Sequence, residues 1–339
     1  MAGVRRGLAE ESAQARVEDR EGPGANELFS RSPANPLLTA ADWPYPVNAV
    51  FNPGAALVDG ETVLLCRVED RRGISHLTVA RSSDGVTGWR VDPTPLIAPD
   101  QHGYASQFGV EDPRITRVDE LGGWLIAYTA YGPAGPCVAL AVTADFRTVE
   151  YIGVTMPPED KNAALLPYHI DGQFALFHRP TSPISGRADV WLSRSVDLRS
   201  WTTPEPVFGA RQGPWWDSVR VGMGPPPLPT PHGWLGIYHG VKQMATGGAV
   251  YRVGLVLLDT DHPVRVLRRA DPWVFGPTAA YERVGDAPNV VFPTGLVHDP
   301  EHDLIRMYYG AADTSVGLAT ASYADVLAYA LTCPAPDAG

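Results

Sequence analysis

The chain has 339 residues, of which 44% are hydrophobic, and 27 basic against 38 acidic residues give it a formal net charge of −11. This size and apolar content favour one large folded unit, and the acidic balance argues against sequence-independent binding to nucleic acid or acidic membranes. Only three cysteines occur, and no apolar run is long enough for a membrane span or a signal peptide, so we expect a cytoplasmic protein without a disulfide framework.

The N-terminal stretch is polar and charged and has no periodic apolar pattern. We expect residues 1–30 to be a disordered tail, because such a segment has little to bury. Residues 31–335 are then expected to form a single domain.

Five segments along the rest of the chain share one pattern. Each opens on a turn-forming residue, continues through an apolar, aromatic-rich strand and ends on polar residues. The five are DGETVLLCRVED (59–70), GGWLIAYTAYG (122–132), DGQFALFHRP (171–180), HGWLGIYHGV (232–241) and HDLIRMYYGAAD (302–313). Each is preceded by a shorter strand pattern, such as FGVEDPRITRV, and is followed by another strand pattern, such as SHLTVARSSDG.

Five copies of a three- to four-strand meander predict an all-β fold, a five-bladed β-propeller with a central active-site funnel. The last segment, YADVLAYAL, predicts a short C-terminal helix. An irregular β-sandwich is the alternative, since sandwiches also show strands with regular turns.

Polar residues are concentrated where the first strand of each predicted blade begins and where the second ends. In a propeller these two places meet at the same mouth of the channel, so we expect their side chains to converge there. The beginnings carry Asn52, Glu111, Asp112, Lys161, Asn162, Arg220 and Asn289, and the ends carry Arg67, Glu69, Asp70, Arg179, Tyr238, His239 and Asp313.

Eight motifs, in order over roughly residues 36–330, resemble glycoside hydrolase family 130, the β-mannoside phosphorylases and related mannosidases. They are FNPGAAL, RVEDRRGIS, GVEDPR, KNAALLP, HRP, GMGPPPLPTPHGWLGIYHGV, PNVVFPTG and YYGAADT. The resemblance implies the five-bladed propeller and an inverting reaction, in which phosphate cleaves a β-mannoside and α-mannose 1-phosphate is released.

The resemblance also implies roles for individual residues. Asp112, in the matching Asp-Pro-Arg, is the implied general acid, acting through a hydroxyl of the mannosyl ring. Arg67, Arg179 and His239 match phosphate-binding positions, and we assign Arg220 to phosphate with them, although lysine is expected there in many relatives. Asp313 matches a contact to the mannosyl unit. The other mouth residues assigned to substrate binding are Asn52, Glu111, Lys161, Asn162, Tyr238 and Asn289.

One protein acid and a group of cations suit phosphorolysis on chemical grounds. Inverting hydrolysis ordinarily needs a second carboxylate to activate water, whereas phosphate arrives as a nucleophile and needs cations to hold it in line. Arginine's planar fork suits that oxyanion. The histidines have no metal-ligand spacing, so we expect no cofactor and only inorganic phosphate as co-substrate.

Two other functions stay open. Glu69, Asp70 or Glu111 could serve as a second carboxylate in a phosphate-independent β-mannosidase, and the same fold could be a non-catalytic mannoside-binding propeller. The expected partners are a carbohydrate and phosphate, without nucleic acid or membrane. The aglycone contacts are expected from loops such as YASQF and GARQGPWWDS, where Trp215 and Trp216 either stack on a sugar or fill the rim. The oligomeric state is left open, a homo-oligomer included.

Overall fold

A computed structural model describes residues 27–182, 185–245 and 247–336. Their fold is all-β, as the sequence predicts, and begins with the short strand β1 (Ser30–Arg31). Of the predicted tail, residues 1–26 lie outside the described residues, while residues 27–30 are part of the packed structure.

The first two meanders form one eight-stranded sheet. The first contains β2 (Ala49–Val58), β3 (Glu61–Glu69), β4 (Ser75–Ser82) and β5 (Arg90–Val91). The second contains β6 (Gly109–Val118), β7 (Gly123–Gly132), β8 (Gly135–Thr143) and β9 (Glu150–Met156). Within each meander the strands pair antiparallel, and a single parallel bridge between Ser75 and Gly109 joins the two.

The other three meanders form separate sheets. The third contains β10 (Asp160–Leu165), β11 (Phe174–Pro180), β12 (Val190–Ser195) and β13 (Glu205–Phe208). The fourth contains β14 (Arg220–Met223), β15 (Leu228–Thr230), β16 (Gly233–Gln243), β17 (Ala249–Leu258) and β18 (Val266–Arg269). The fifth contains β19 (Val291–Asp299), β20 (Leu304–Ala311) and β21 (Ser315–Ser322), and β1 is its fourth strand.

Few helices accompany the sheets. They are α1 (Ala280–Arg283), α2 (Tyr323–Thr332) and the 3₁₀ segments Ala40–Asp42, Pro99–Ser106 and Asp119–Leu121. Helix α2 is the predicted C-terminal helix, and the Ser322 side chain caps it by accepting a hydrogen bond from the Asp325 amide at 3.1 Å. No helix in the described ranges is long and apolar enough to cross a membrane.

The first strands of the meanders lie against one another. Strand β2 contacts β6 and β19, and β10 contacts β6 and β14. The apolar cores lie between the sheets: one large cluster joins the fourth and fifth meanders and another joins the third and fourth. Because side chains alternate along a strand, each sheet buries apolar residues against its neighbours and still presents polar residues where the first strands meet.

Strand β1 closes the fifth sheet, pairing Ser30 with Thr320 and Arg31 with Ala319. Arg31 also donates from Nε and Nη2 to the buried carboxylate of Glu282, at 2.8 and 2.9 Å. An N-terminal segment and the last strands of the chain are therefore held together by backbone pairing and a bidentate ion pair.

Phe29 anchors this closure, and its loss should destabilise the protein. The side chain is 1% exposed and packs edge-to-face on Phe275, with ring centroids 6.4 Å apart. We expect Phe29→Ala to lower the free energy of unfolding by about 3–5 kcal/mol, measured by urea denaturation. Tyr168→Ala, at a 61% exposed position, is the matched control and should change it little. Equal effects from the two variants would contradict an anchoring role.

Candidate active site

The site begins with a backbone irregularity that three successive meanders share. Asn52, Asp112 and Asn162 have φ values of 45°, 50° and 57°, and each lies at a register shift between the first and second strands of its meander. Asn and Asp tolerate this left-handed region better than most residues. The resulting bulges locally reorient the backbone where these side chains leave the strand.

Asp112 lies at the centre of an acidic group. Its Oδ1 accepts a hydrogen bond from Asn52 Nδ2 at 2.8 Å and one from Arg67 Nη1 at 3.2 Å. Arg67 Nη2 also lies 3.2 Å from Glu111 and 3.6 Å from Glu69. Three carboxylates therefore share one guanidinium, which packs over the Phe51 ring.

Asp112 is buried and Asp313, which feels the charges of the same group, is half-buried, and the two aspartates differ in pKa. Burial opposes ionisation of Asp112, but the charges of Arg67 and Arg114 outweigh it, and the pKa of Asp112 lies below its ordinary value. For Asp313, burial outweighs the attraction of Arg67. The neighbouring carboxylates of Asp112 and Glu111 act in the same direction as burial, and the pKa of Asp313 rises to about 7.

A cationic group lies beside the acidic one. Lys161 Nζ is 3.7 Å from Glu111 and marks the boundary between them. Lys161 pairs across the strands with Arg179, and burial together with the charge of Arg220 lowers the pKa of Arg179 to about 10. Within the described part of the chain, no carboxylate lies within ion-pair distance of Arg179 or Arg220, and the buried Nε of Arg179 has no hydrogen-bond partner.

His239 lies beside these cations but is itself neutral, and its ring offers a hydrogen-bond donor. Arg114 Nη2 donates to Asn162 Oδ1 at 3.4 Å, which turns the Asn162 amide nitrogen toward His239 Nε2 at 3.5 Å. Nε2 must then accept, so Nδ1 carries the proton. Burial and the charge of Arg179 hold the pKa of His239 well below its ordinary value, which agrees with a neutral ring.

The Nδ1 atom of His239 is buried and has no acceptor among the residues that the structure describes. Gly222 makes the meeting of His239 with Asn162 sterically feasible, because a Cβ at position 222 would overlap both side chains. Two buried donors, on Arg179 and His239, thus lack partners. Since an unmade buried hydrogen bond costs about 1–3 kcal/mol, such a pair marks a site for an acceptor ligand.

A fully paired network fixes the backbone beneath Arg179. Asp160 Oδ1 accepts from the Arg179 amide at 3.0 Å, and its Oδ2 lies 2.6 Å from His178 Nδ1. His178 Nε2 lies 3.0 Å from Ser193 Oγ. His178 is adjacent to Arg179 in β11 and therefore points to the other face of the strand, and the network positions the strand that carries Arg179.

Tyr238 is a predicted site residue that the structure places elsewhere. It is fully buried, donates to Asp217 Oδ2 at 3.0 Å and stacks on Trp216, with ring centroids 5.6 Å apart. The prediction of a substrate contact was wrong, because adjacent residues of a strand face opposite sides and His239 takes the side toward the site.

Other predicted residues have weaker links to the site. Among the described residues, Asn289 is linked to the site through its backbone carbonyl, which accepts a hydrogen bond from the Tyr251 amide at 3.1 Å. Asp70 forms an ion pair with Arg72 at 2.7 Å, within the turn between β3 and β4.

The sequence patterns did not identify Tyr251 as a site residue. Its ring is nearly parallel to that of His239, with centroids 6.1 Å apart, and it acts electrostatically on Arg179. Its position near the start of β17 gave no sequence signal. In the described residues no group of three His, Cys, Asp or Glu side chains is placed to hold a metal ion.

A buried acid facing a cationic pocket with free donors, on an all-β scaffold, is the arrangement of an enzyme that joins acid catalysis to an anionic co-substrate. The family model described as beta-1,4-mannooligosaccharide phosphorylase matches residues 30–330. The chain belongs to this family, glycoside hydrolase family 130.

Individual relatives agree with this assignment. The chain is 37% identical to a beta-1,2-mannobiose phosphorylase of Listeria innocua, over 72% of this chain and 65% of that protein's length. It is 32% identical to a beta-1,4-mannooligosaccharide phosphorylase of Ruminococcus albus, over 89% of this chain and 91% of that one. A solved structure of a Listeria innocua beta-1,2-mannobiose phosphorylase with beta-1,2-mannobiose superposes with a TM-score of 0.81 at 29% identity, covering 89% of this chain and 99% of that one.

The raised pKa of Asp313 predicts a pH-dependent loss of stability. The folded state favours the protonated carboxyl, so its contribution is complete near pH 4 and is lost as the pH rises through about 7. We therefore expect Asp313→Asn to gain stability relative to wild type between about pH 4.5 and about pH 8, measured by urea denaturation at both. Glu301→Gln, an exposed acid at the other end of the sheets, is the control. A difference between Asp313→Asn and wild type that is the same at both pH values would contradict the raised pKa.

Proposed function

We propose that this protein catalyses the inverting phosphorolysis of β-mannosides and releases α-mannose 1-phosphate. The observation that carries the proposal is the pair of unpartnered buried donors, Arg179 Nε and His239 Nδ1, within a cationic group that has no ion-pair carboxylate for Arg179 or Arg220 among the described residues. A phosphate dianion would accept from both donors and balance the charge of Arg220 and Lys161. The family membership supports the same chemistry.

The five meanders are proposed to be the blades of one five-bladed propeller in a single domain. The mutual contacts of their first strands and the closure of the fifth sheet by β1 support this arrangement. We also propose a cytoplasmic location, supported by three buried cysteines that all carry free thiols.

The proposed reaction needs one proton donor. A phosphate oxygen forms a bond to the anomeric carbon as the bond from that carbon to the aglycone oxygen breaks, and Asp112 supplies the proton that the aglycone oxygen gains. In the free protein the cations around Asp112 keep its pKa low. Bound phosphate offsets that positive charge and raises the pKa of Asp112 toward the protonated form that the step requires.

The ion pairs revise one proposed role. The guanidinium of Arg67 forms ion pairs with Glu69, Glu111 and Asp112. The cations whose charges lower the pKa of His239 are instead Arg179, Arg114, Arg220 and Lys161. We therefore propose that Arg67 holds Asp112 and the mannosyl unit, together with Asn52 and Asp313. Lys161 and Arg220 then join Arg179 and His239 around phosphate.

Hydrolysis is the competing function within the family. Its water would need a carboxylate base on the side of the sugar opposite the leaving group. Glu111 is held between Arg67 and Lys161, and the unpartnered buried donors belong to Arg179 and His239. This arrangement favours phosphate over water as the nucleophile.

The product identifies the reaction directly. We expect proton NMR of a fresh digest of β-linked mannobiose to show α-mannose 1-phosphate as the first product, formed only when inorganic phosphate is present. Free mannose should be minor. Mannose released at the same rate with and without phosphate would replace the phosphorylase proposal with the hydrolase.

The cationic group should control phosphate affinity. Removing a charged donor from a buried oxyanion site costs about 2–4 kcal/mol, or roughly 30- to 1,000-fold in rate. We expect Arg179→Ala to raise the apparent KM for phosphate by this order, with mannoside binding by calorimetry little changed. Arg265→Ala, at a 73% exposed side chain, is the control. A wild-type phosphate saturation curve in folded Arg179→Ala would place the phosphate elsewhere.

A further inference from the structure

The guanidinium of Arg114 is a buried cation that the mechanism above uses only as a nearby charge. Its side chain is 1% exposed, and burial lowers the pKa of Arg114 to about 10, so the group stays protonated at neutral pH. Every hydrogen-bond acceptor that it contacts in the described part of the chain is neutral. Burying a cation without a carboxylate in contact is unfavourable, and the contacts of Arg114 indicate what this arrangement achieves.

Hydrogen bonds from Arg114 join three meanders. Nη1 donates to the carbonyl of Asp112, in the second meander, at 2.6 Å. Nε donates to the carbonyl of Gly224, in the fourth, at 3.3 Å. Nη2 lies 3.4 Å from Oδ1 of Asn162, in the third meander, and 3.5 Å from the Met223 carbonyl. A planar guanidinium can serve all of these acceptors at once, because its donors form a fixed fork.

Two further features hold the guanidinium in place. It lies over the ring of Phe292, in the fifth meander, 5.5 Å from the ring centroid. A Cβ at Gly224 would lie 2.9 Å from the Ile237 carbonyl oxygen and 3.0 Å from that of Pro293, so the acceptor of Nε belongs to closely packed backbone. Arg114 is therefore anchored on the fourth and fifth meanders.

The shortest of these hydrogen bonds fixes the backbone of the acid. Asp112 has a φ of 50°, and the register shift between Glu111 and Arg114 leaves Asp112 and Pro113 out of the ladder with β7. A bulge of this kind interrupts the regular hydrogen bonds of a strand. Arg114 Nη1 supplies a donor to the Asp112 carbonyl at this interruption. The direction in which the carboxyl leaves the strand therefore depends on Arg114.

The anchor of Arg114 is also part of the phosphate site. Gly222 pairs with His239, and Met223 pairs with Tyr238, across β14 and β16. The strand whose end accepts hydrogen bonds from Arg114 is thus the strand that pairs with His239. One side chain connects the backbone of the acid to the backbone of the phosphate site.

The free donors of the pocket belong to other residues. All three nitrogens of Arg114 donate to protein acceptors. Nε of Arg179 and Nδ1 of His239, in contrast, have no acceptor among the described residues. Arg114 therefore affects the reaction through the residues that it holds.

We propose that Arg114 is a positioning residue, which ties the backbone of Asp112 to the fourth and fifth meanders and so holds the acid opposite the phosphate bound by Arg179 and His239. In an inverting displacement the acid serves the leaving oxygen on one face of the anomeric carbon while the nucleophile approaches the other, so both must be held in one geometry. This inference rests on the proposed function, which requires the acid and phosphate in the same step.

The test compares two substrates in phosphorolysis. A β-linked mannobiose needs a proton on its leaving oxygen, whereas fluoride leaves β-mannosyl fluoride with little help from an acid. We expect Arg114→Lys to lower the ratio of kcat/KM for the mannobiose to kcat/KM for the fluoride by about 10- to 100-fold. Lysine lacks the planar fork, and a displacement of about 1 Å in reacting groups costs up to about that factor. The ratio does not depend on the folded fraction of the sample, so a loss of stability alone cannot change it.

Two comparisons separate position from other causes. Arg179→Ala should lower both rates alike and leave the ratio unchanged, since both substrates need phosphate. Lysine keeps the positive charge, so Arg114→Lys should keep the wild-type pH dependence of mannobiose cleavage. An unchanged ratio in Arg114→Lys, an equal fall of the ratio in Arg179→Ala, or a shifted pH dependence in Arg114→Lys would overturn the proposal.

Phe292→Leu decides the case in which Arg114→Lys gives no folded protein. It removes the ring beneath the guanidinium and keeps Arg114, and we expect the ratio to fall about two- to fivefold, the factor that corresponds to one cation–π contact. An unchanged ratio in folded Phe292→Leu would then overturn the proposal.

Failure of the proposed function would be visible in wild type, as mannobiose cleavage that does not depend on phosphate. The same ratio is then measured in hydrolysis, because the leaving oxygen still needs the acid in that reaction. The expected fall and the overturning results for Arg114→Lys and Phe292→Leu stay the same.

Discussion

The site depends on three left-handed residues at the register shifts between paired strands. An uninterrupted antiparallel ladder would keep Asn52, Asp112 and Asn162 in strict alternation with their apolar neighbours. The bulge at each position adds unpaired backbone and reorients it beside the first strands of neighbouring meanders. Asn52 then contacts Asp112 across two meanders, and Asn162 contacts Arg114 and His239 across three.

Charge separation within the pocket follows from that geometry. Arg67 neutralises one group of carboxylates, while Arg179 and His239 are buried with donors left unpaired. Burying a cation without a partner is unfavourable, which is why the pKa of Arg179 falls. The packed sheets and the Asp160–His178–Ser193 network hold that unfavourable arrangement in place. The pocket is thereby preorganised for an anion before the anion arrives.

The sequence predicted the meanders well, because alternation and turn residues are local signals. The sequence also predicted that Arg67, Asp112 and Asn52 lie close together, because strand beginnings and strand ends converge in such a fold. The prediction for Tyr238 is wrong because it assigns two adjacent residues of one strand, Tyr238 and His239, to the site. Only His239 can face the site, since adjacent residues point to opposite sides. The sharing of Arg67 among three carboxylates could not be predicted, because the register shifts that set those distances leave no sequence signal. Tyr251 joins His239 only through tertiary packing.

The closure of the fifth sheet by β1 also bears on how the chain folds. Ser30 and Thr320 are about 290 residues apart, so during synthesis β1 cannot pair until β21 has been made. Until the two strands pair, the backbone edges of β1 and β21 are open, and open edges recruit strands from other chains. Contacts this distant in sequence form late and slowly. The nascent protein therefore depends on its earlier meanders to remain soluble through synthesis. An N-terminal fusion that obstructs β1 would favour strand exchange between molecules over closure of the fifth sheet within one molecule.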